Sequence, residues 1–345
     1  MRNLVKQREY RDLFLRHPPI GFEVCESKYG LSVFKTDFDI LTTLDPKTAR
    51  RLRNIPFLSR LLRLRAGFIG ATITEYAPLP DSLSGKELVQ FILEEYAEQS
   101  LTIIKDIPLD SPLLTAEEND FAHELTREAE TRGFFVIEGQ ALAYVAVDFE
   151  SVDEYLGRLS RSRRKDLRRK MKAGERLDVS VVRFGDSRLR DEEFLAELYA
   201  MFKAVYERSE IQFDLPAGSF FRELLTGKAG DGVVMLYYAG GELAGYNICL
   251  IHEKVLIDKY IGFNYPLARE VNLYFVSWLY NLRYAVENEL KMYVAGWTDP
   301  EVKKSLGASF TFTRHLVWIK NPLLRVLARP FKRFFEGDKN IMEKL

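Results

Sequence analysis

Along the chain, the spacing of apolar side chains switches between a period near 3.6 and a period of 2, and the switches outline its elements. Residues 84–99 are helical by this measure, with Leu88, Phe91, Ile92 and Tyr96 on one face and Ser84 at the N-cap position. Residues 115–133 form a second helix, opened by the Thr115/Glu118 pair of a capping box and closed by Gly133. Residues 191–209 place Phe194, Leu198, Met201, Phe202 and Val205 on an inner face, and 272–290 form a further helix. Strands are predicted within 18–44, around a polar turn at 27–30, and at 66–75, 101–108, 134–137, 142–148 and 177–184. A meander follows at 233–238, 243–251 and 255–263, with Gly240 and Gly241 marking its first hairpin. A strand at 291–296, a short helix at 300–306 ended by Gly307, and a strand at 309–319 complete the pattern.

One stretch interrupts this regularity. From Arg158 to Lys172 there are nine Lys or Arg and a single acid, Asp166. Leu159, Arg163, Leu167 and Met171 fall at i, i+4 spacing, so the segment reads as a helix with a narrow apolar seam. Charge of this density must meet solvent or an anion, because no core could neutralise it. Two further stretches, 50–65 and 321–335, mix Leu and Phe with Arg and Lys. Such segments lie in a membrane interface or pack their apolar side on the protein itself.

Composition changes this picture little. At 345 residues, two domains are the expectation. The 50 basic residues balance 50 acidic ones, so any electrostatic argument rests on local clusters. Cys25 and Cys249 are unpaired by spacing and read as free thiols, and four scattered His predict no metal site. No apolar run approaches the roughly 20 residues of a spanning helix, and the N-terminal residues lack a signal peptide's apolar core. The expected location is cytoplasmic, with peripheral contact at the inner face of a membrane left open.

From about Val179 onward, the order strand, helix, three-stranded meander, helix, strand, short helix, strand resembles the acyltransferase fold of the GNAT superfamily. The version it resembles is the uncharacterised N-acyltransferases related to the Fem-type peptidoglycan aminoacyltransferases, with a BioF2-like acetyltransferase domain. Three local features carry the resemblance. They are the Arg-rich run from Glu154 to Arg169, the Gly-Gly hairpin with Leu243, Ala244, Gly245, Tyr246 and Asn247, and the ending from Ala295 through Lys303 and Lys304 to Gly307 and Ala308. The resemblance implies a mixed α/β fold of tandem GNAT-like halves. Residues 1–150 would be a degenerate first half, 151–176 a basic linking helix, 177–320 the acyltransferase domain and 321–345 a basic amphipathic tail. It also implies a departure. Many CoA-dependent members hold the pyrophosphate on a Gly-rich turn after the fourth strand, whereas 262–272 here has one Gly, a Pro and a lone Arg269.

N-acyl transfer needs little dedicated chemistry: an aligned amine, a base, and a donor where oxyanion charge develops, which a backbone amide in a splayed strand can supply. The resemblance puts Asp258, Lys259 and Tyr260 on the strand of the reaction centre. Alternation sends Asp258 and Tyr260 to one face and Lys259 to the other. Tyr260 is a candidate to protonate the leaving group, or a half-buried sheet tyrosine. Asp299 is a candidate base, or an ordinary helix start before Pro300. Arg161, Arg163, Arg164 and Arg168 are candidate contacts for a phosphate-bearing donor, with Asn264, Arg269, Asn272, Lys303 and Lys304 lining the donor site. Tyr246, Asn247, Lys259 and Trp297 are candidates for the acceptor pocket. His252 and His315 read as structural.

The expected activity is transfer of an acyl group from a thioester donor, acyl-CoA or acyl carrier protein, to an amine of a small metabolite, sugar or lipid-linked precursor. No bound cofactor is expected. An aminoacyl-tRNA-dependent transferase, with the basic helix on the tRNA backbone, is the enzymatic rival. A membrane-surface module on an inactive transferase fold is the non-enzymatic one.

Overall fold

The computed structural model describes residues 2–6, 8–39, 63–209 and 212–328. The chain divides into two compact units, Met1–Leu142 with Thr311–Leu345, and Ala143–Phe310. Of the expected basic stretch at 50–65, residues 50–62 lie outside the described residues and 63–65 begin a strand; the tail beyond residue 328 also lies outside them.

The first unit opens with helix α1 (Arg8–Arg16), followed by β1 (Glu23–Glu26), β2 (Ser32–Asp39) and β3 (Arg63–Ile69). Then come α2 (Gly85–Tyr96), β4 (Leu101–Leu109), α3 (Ala116–Thr131) and β5 (Phe135–Ala146). Both long helices start at reciprocal capping boxes, Ser84 with Glu87 and Thr115 with Glu118. Their apolar faces, including Leu88, Ile92, Phe121 and Leu125, pack on Ile69, Ile104 and Ile107 of the sheet. The two strands expected at 134–137 and 142–148 are one continuous strand, β5. It carries the chain from the first unit into the second.

The second unit continues with α4 (Val152–Arg158), α5 (Arg161–Gly174), β6 (Leu177–Arg183), α6 (Glu192–Tyr206) and α7 (Gly218–Leu225). Strands β7 (Asp231–Ala239), β8 (Glu242–His252) and β9 (Val255–Phe263) form the meander. Next are α8 (Leu267–Glu270), α9 (Leu273–Glu287), β10 (Met292–Gly296) and α10 (Pro300–Leu306). Strand β11 (Ser309–Ile319) returns the chain to the first unit, which ends in α11 (Pro322–Ala328). The strand order within the first unit is β1-β2-β3-β4-β11-β5, and within the second β5-β10-β9-β8-β7-β6. Helix α7 was not apparent from the sequence, because its eight residues offer only two turns of periodicity.

The basic helix α5 belongs to the second unit, which begins at Ala143, and the crossings between units are made by strands β5 and β11. It is therefore not a linker along the chain. Its seam is anchored on α9: Leu167 is buried, Lys170 lies 3.3 Å from the Phe275 ring centroid, and Gly174 sits where a Cβ would strike Val276. Arg161, Lys165, Arg168, Arg169 and Lys172 on the other faces are exposed, as is Arg163 at the N-terminal end of the seam.

Candidate active site at the fork of β9 and β10

Strands β9 and β10 run parallel, and they pair only from Met292↔Val255 to Val294↔Ile257. Beyond that they diverge, since β9 continues to Phe263 while β10 ends at Gly296. Asp258 is the first residue of β9 past the last pair. The fork thus presents a carboxylate at the point where two strands stop satisfying each other's backbone.

A β-bulge sets the direction of that carboxylate. On the other side of β9, Ile248 pairs with Tyr260 but Cys249 pairs with Asp258, so Lys259 is an extra residue. The bulge breaks the alternation, and Asp258 and Tyr260 point to opposite faces rather than to one. Tyr260 packs on Phe202, Phe220 and Phe221 of α6 and α7, with ring centroids 5.0–5.8 Å away. Asp258 points to the α9 side, where it meets three nitrogen or oxygen donors and, at 3.9 Å from Oδ1, the Cys249 thiol. Asn247 Nδ2 donates to both its oxygens at 2.9 Å, Asn281 Nδ2 donates to Oδ2 at 2.9 Å, and the Tyr293 hydroxyl donates to Oδ2 at 3.1 Å. Because Asp258 only accepts, both asparagine amides are oriented with nitrogen toward it.

Burial raises the Asp258 carboxyl above the usual carboxylate range, against the opposing pull of Asn247, Tyr293, the Lys303 charge and Asn281. Lys303, on α10, is 5% exposed, and burial lowers its ammonium to about 8, with Asp258 and then Asp299 opposing the shift. Lys303 makes no side-chain hydrogen bond or ion pair with any described residue. Its Nζ would lie 3.9 Å from a Cβ built on Gly296, which places it at the end of β10 beside the fork. Three more buried polar atoms around Asp258 have no hydrogen-bond partner: Asn247 Oδ1, Asn281 Oδ1 and the Tyr274 hydroxyl, whose titration is raised by burial and by the charges of Asp299 and Asp258. A native interior pairs nearly all such atoms, so a cluster of exceptions beside a buried Lys and a half-buried Asp has the character of a ligand site.

The other sequence candidates fall in three groups. Tyr246 is a core residue, not pocket lining: it is fully buried on the α6 side and donates to the Leu198 carbonyl at 2.7 Å. Lys259 is the half-buried bulge residue, and Trp297 and Lys304 are half-buried near β10 and α10. Asp299 is exposed at the start of α10 in the left-handed region, φ 54°, with no side-chain capping bond. Asn272 holds the same kind of position before α9, φ 52°, also without a capping bond. Neither residue acts as the helix cap its sequence context suggested, and both adopt a backbone conformation that non-glycine residues rarely hold. Asn264 ties the loop to β8 through Glu242 Oε1 at 2.8 Å and the Leu243 carbonyl. On α5, Arg168 pairs with Asp153 at 3.2 Å and Arg164 donates to the Gly157 carbonyl, leaving Arg161 and Arg163 exposed with no side-chain partner among the described residues. Sequence reasoning missed Asn281 and Tyr293. Each is a polar side chain in an otherwise apolar run, which was the available signal.

This arrangement coincides with a known domain. Residues 161–304 match the acetyltransferase (GNAT) domain family. The second unit therefore carries a GNAT-type acyltransferase fold, with the fork of β9 and β10 at its centre. The chain also shares its fold with several solved structures. It is similar to the C-terminal domain of a putative lysylphosphatidylglycerol synthetase from Agrobacterium fabrum, with TM-score 0.55, 11% identity, and coverage of 93% of this chain and 90% of that one. It is similar to L-PGS from Bacillus licheniformis, with TM-score 0.55, 10% identity and 95% of each chain covered. It is also similar to FemX, with TM-score 0.50, 14% identity, and 93% and 97% covered. The Fem-like resemblance of the sequence is thus matched by the fold. No curated protein matches the chain.

Proposed function

We propose that the chain transfers an acyl group from an activated ester or thioester to an amine, with Asp258 and Lys303 at the reaction centre. The observation that carries this reading is the half-buried Asp258 carboxylate beside the buried Lys303 side chain, which makes no hydrogen bond or ion pair among the described residues, at the strand fork. The amine nitrogen attacks the carbonyl carbon, the C–N bond forms, and the nitrogen's proton passes to Asp258 Oδ1. That oxygen accepts from Asn247 and, over a long 3.9 Å contact, from the Cys249 thiol, against three bonds on Oδ2, so it is the more available of the two. Lys303 donates a hydrogen bond to the carbonyl oxygen as negative charge develops there. As the tetrahedral intermediate collapses, the thiolate or alkoxide leaves and Lys303 supplies its proton, with the proton held on Asp258 restoring the balance. Burial makes Asp258 a stronger base than an exposed carboxylate and brings Lys303 near neutral pH, which suits both roles.

The donor we favour is an acyl-CoA or acyl carrier thioester, and the acceptor a metabolite, sugar or lipid-linked amine. A second reading, aminoacyl transfer, draws support from the fork itself. Asp258 with the free carbonyls of Asn247 and Asn281 suits an ammonium group better than an alkyl chain. The lysylphosphatidylglycerol synthetase fold neighbour points the same way, and Arg161 and Arg163 of α5 would then meet the tRNA backbone. The inactive membrane module is the weaker reading, because three neutral side chains hold a carboxylate at the fork. No helix among the described residues is long and apolar enough to cross a membrane. Exposed Leu323 and Leu324 at the start of α11 are the surface by which a peripheral contact at the inner membrane face would form. The test is mass spectrometry of products from a panel of acyl-CoAs, acyl carrier proteins and aminoacyl-tRNAs against primary amines. Product that disappears in Asp258→Asn supports the reading, and product of equal yield in that variant overturns it.

A further inference from the structure

The fork of β9 and β10 holds an amine of its own. Lys303 is 5% exposed, and its side chain makes no hydrogen bond or ion pair among the described residues. The side of Gly296 on which a Cβ would stand is open. Apart from the chain neighbours of Gly296, only the Asp258 carbonyl oxygen, at 3.8 Å, and Lys303 Nζ, at 3.9 Å, come within 4 Å of that position among the described residues. Lys303 Nζ and Asp258 therefore border one small opening at the end of β10, where the two strands part. Burial lowers the ammonium to about 8, so near neutral pH far more of it is free amine than of an exposed lysine at 10.5.

A nitrogen that reaches the carbonyl oxygen of a bound thioester also lies close to the carbonyl carbon. We propose that Lys303 is itself an acceptor: when no substrate amine is present, the bound donor acylates Nζ, and the modified chain is inactive. The proposal rests on the transferase reading for its donor and adds a means of closing that same site. The Nζ lone pair attacks the carbonyl carbon and the C–N bond forms, while the nitrogen's proton passes to Asp258. The C–S bond then breaks, the thiolate takes that proton and leaves as the thiol, and an Nε-acyl-lysine amide remains. As the nucleophile, Lys303 no longer donates to the carbonyl oxygen, so the developing charge is stabilised less than in transfer to a substrate. Self-acylation is therefore the slower reaction, and a bound acceptor amine outcompetes it. The product has lost the proton that Lys303 supplies to the leaving group, and its acyl group fills the opening beside Gly296. An amide is not transferred onward, so the block lasts until the amide is hydrolysed.

Intact-mass measurement with peptide mapping tests this on the full chain. The protein is incubated without acceptor in acetyl-CoA, octanoyl-CoA or acetyl phosphate, the last being small enough to enter the opening without a donor arm. A single acyl group is expected on Lys303 and none on the adjacent Lys304, with transfer activity falling in step with the label. Lys303→Arg keeps the cation and takes no label. Asp258→Asn takes it at least about tenfold more slowly, because the proton acceptor is gone, and an added primary amine slows labelling of the wild type. Label spread over exposed lysines such as Lys165 and Lys228 as fast as on Lys303 overturns the proposal. An unlabelled Lys303 in protein that acylates an added amine also overturns it and leaves the transferase reading standing. Label on Lys303 with no product from any amine keeps the lysine as an acylation site and sinks the transferase reading instead. Neither label nor product overturns both.

Discussion

The two units contain the same local device and treat it in opposite ways. In the first, β3 and β4 run parallel and pair only from Gly67↔Thr102 to Ile69↔Ile104, then part. In the second, β9 and β10 do the same over three pairs. At the first fork the charged residues satisfy one another. Lys105 pairs with its neighbour Asp106 and reaches the Ala71 carbonyl, while the Asp106 N–H donates to His315 Nδ1 at 3.0 Å and its carbonyl accepts from Ala77. At the second fork the carboxylate is held by neutral donors, and the ammonium of Lys303 makes no hydrogen bond or ion pair among the described residues. A closed polar network contributes to the fold, whereas an open one costs stability and is kept where a ligand completes it. The comparison supports reading the first fork as structural and the second as chemical.

The largest expected effect separates the forks by activity. Asp258→Asn keeps the shape and removes the base, so transfer falls 10²–10⁴-fold. Asp106→Asn, at the other fork, leaves the rate constant of correctly folded protein within a few-fold of wild type. Steady-state kinetics on both variants, with folding checked by circular dichroism, decides the matter. Equal losses would erase the distinction between the forks.

The same substitution at the two lysines should change stability with opposite sign. Lys105→Met strands the Asp106 carboxylate beside apolar surface, and breaking a buried pair in this way costs about 3–5 kcal/mol. Lys303→Met removes a buried charge whose desolvation Asp258 and Asp299 offset only in part, so it raises stability by about 1–3 kcal/mol while abolishing transfer. Urea unfolding of the two variants reads this directly, and destabilisation of both would show that Lys303 is structural.

A pH titration sharpens that result. Burial holds the native Lys303 ammonium at about 8, below its ordinary value of 10.5. Between those values the unfolded chain binds more protons than the native one, so Lys303 makes stability rise as pH increases from about 8 to 10.5. The rise is at most roughly 3 kcal/mol, and Lys303→Met should flatten it.

Much of this frame was legible in the sequence. Capping boxes at Ser84 and Thr115, the Gly240-Gly241 hairpin and the period-2 runs around it stand where local chemistry dictates them. Asp258, Asn247 and Lys303 were legible as candidates through the family resemblance. What could not be read were features created by pairing between distant residues. The bulge at Lys259 is invisible in β9 alone, because only the register against β8 shows that one residue is extra. Asn281 looks like a stray polar residue in a helix until the fold sets it 2.9 Å from Asp258. Arg269 is alone in its loop until α6 delivers Arg208 to the same tyrosine ring.

The smallest effect tests whether the neutral cage around Asp258 is tuned or merely packed. Tyr293→Phe removes one hydrogen bond to the ionised carboxylate and keeps the ring that packs on Trp278. A bond made to the charged form favours ionisation, so its loss pushes the carboxyl further up. The acid limb of the transfer profile should then move to higher pH, with a loss of a few-fold at low pH that fades as pH rises past the limb. A residue that only fills space would lower stability without moving the limb. Retention of the wild-type limb in Tyr293→Phe would reduce the second fork to Asp258, Asn247 and Asn281, and would make the contrast with the self-satisfied first fork smaller by one hydrogen bond.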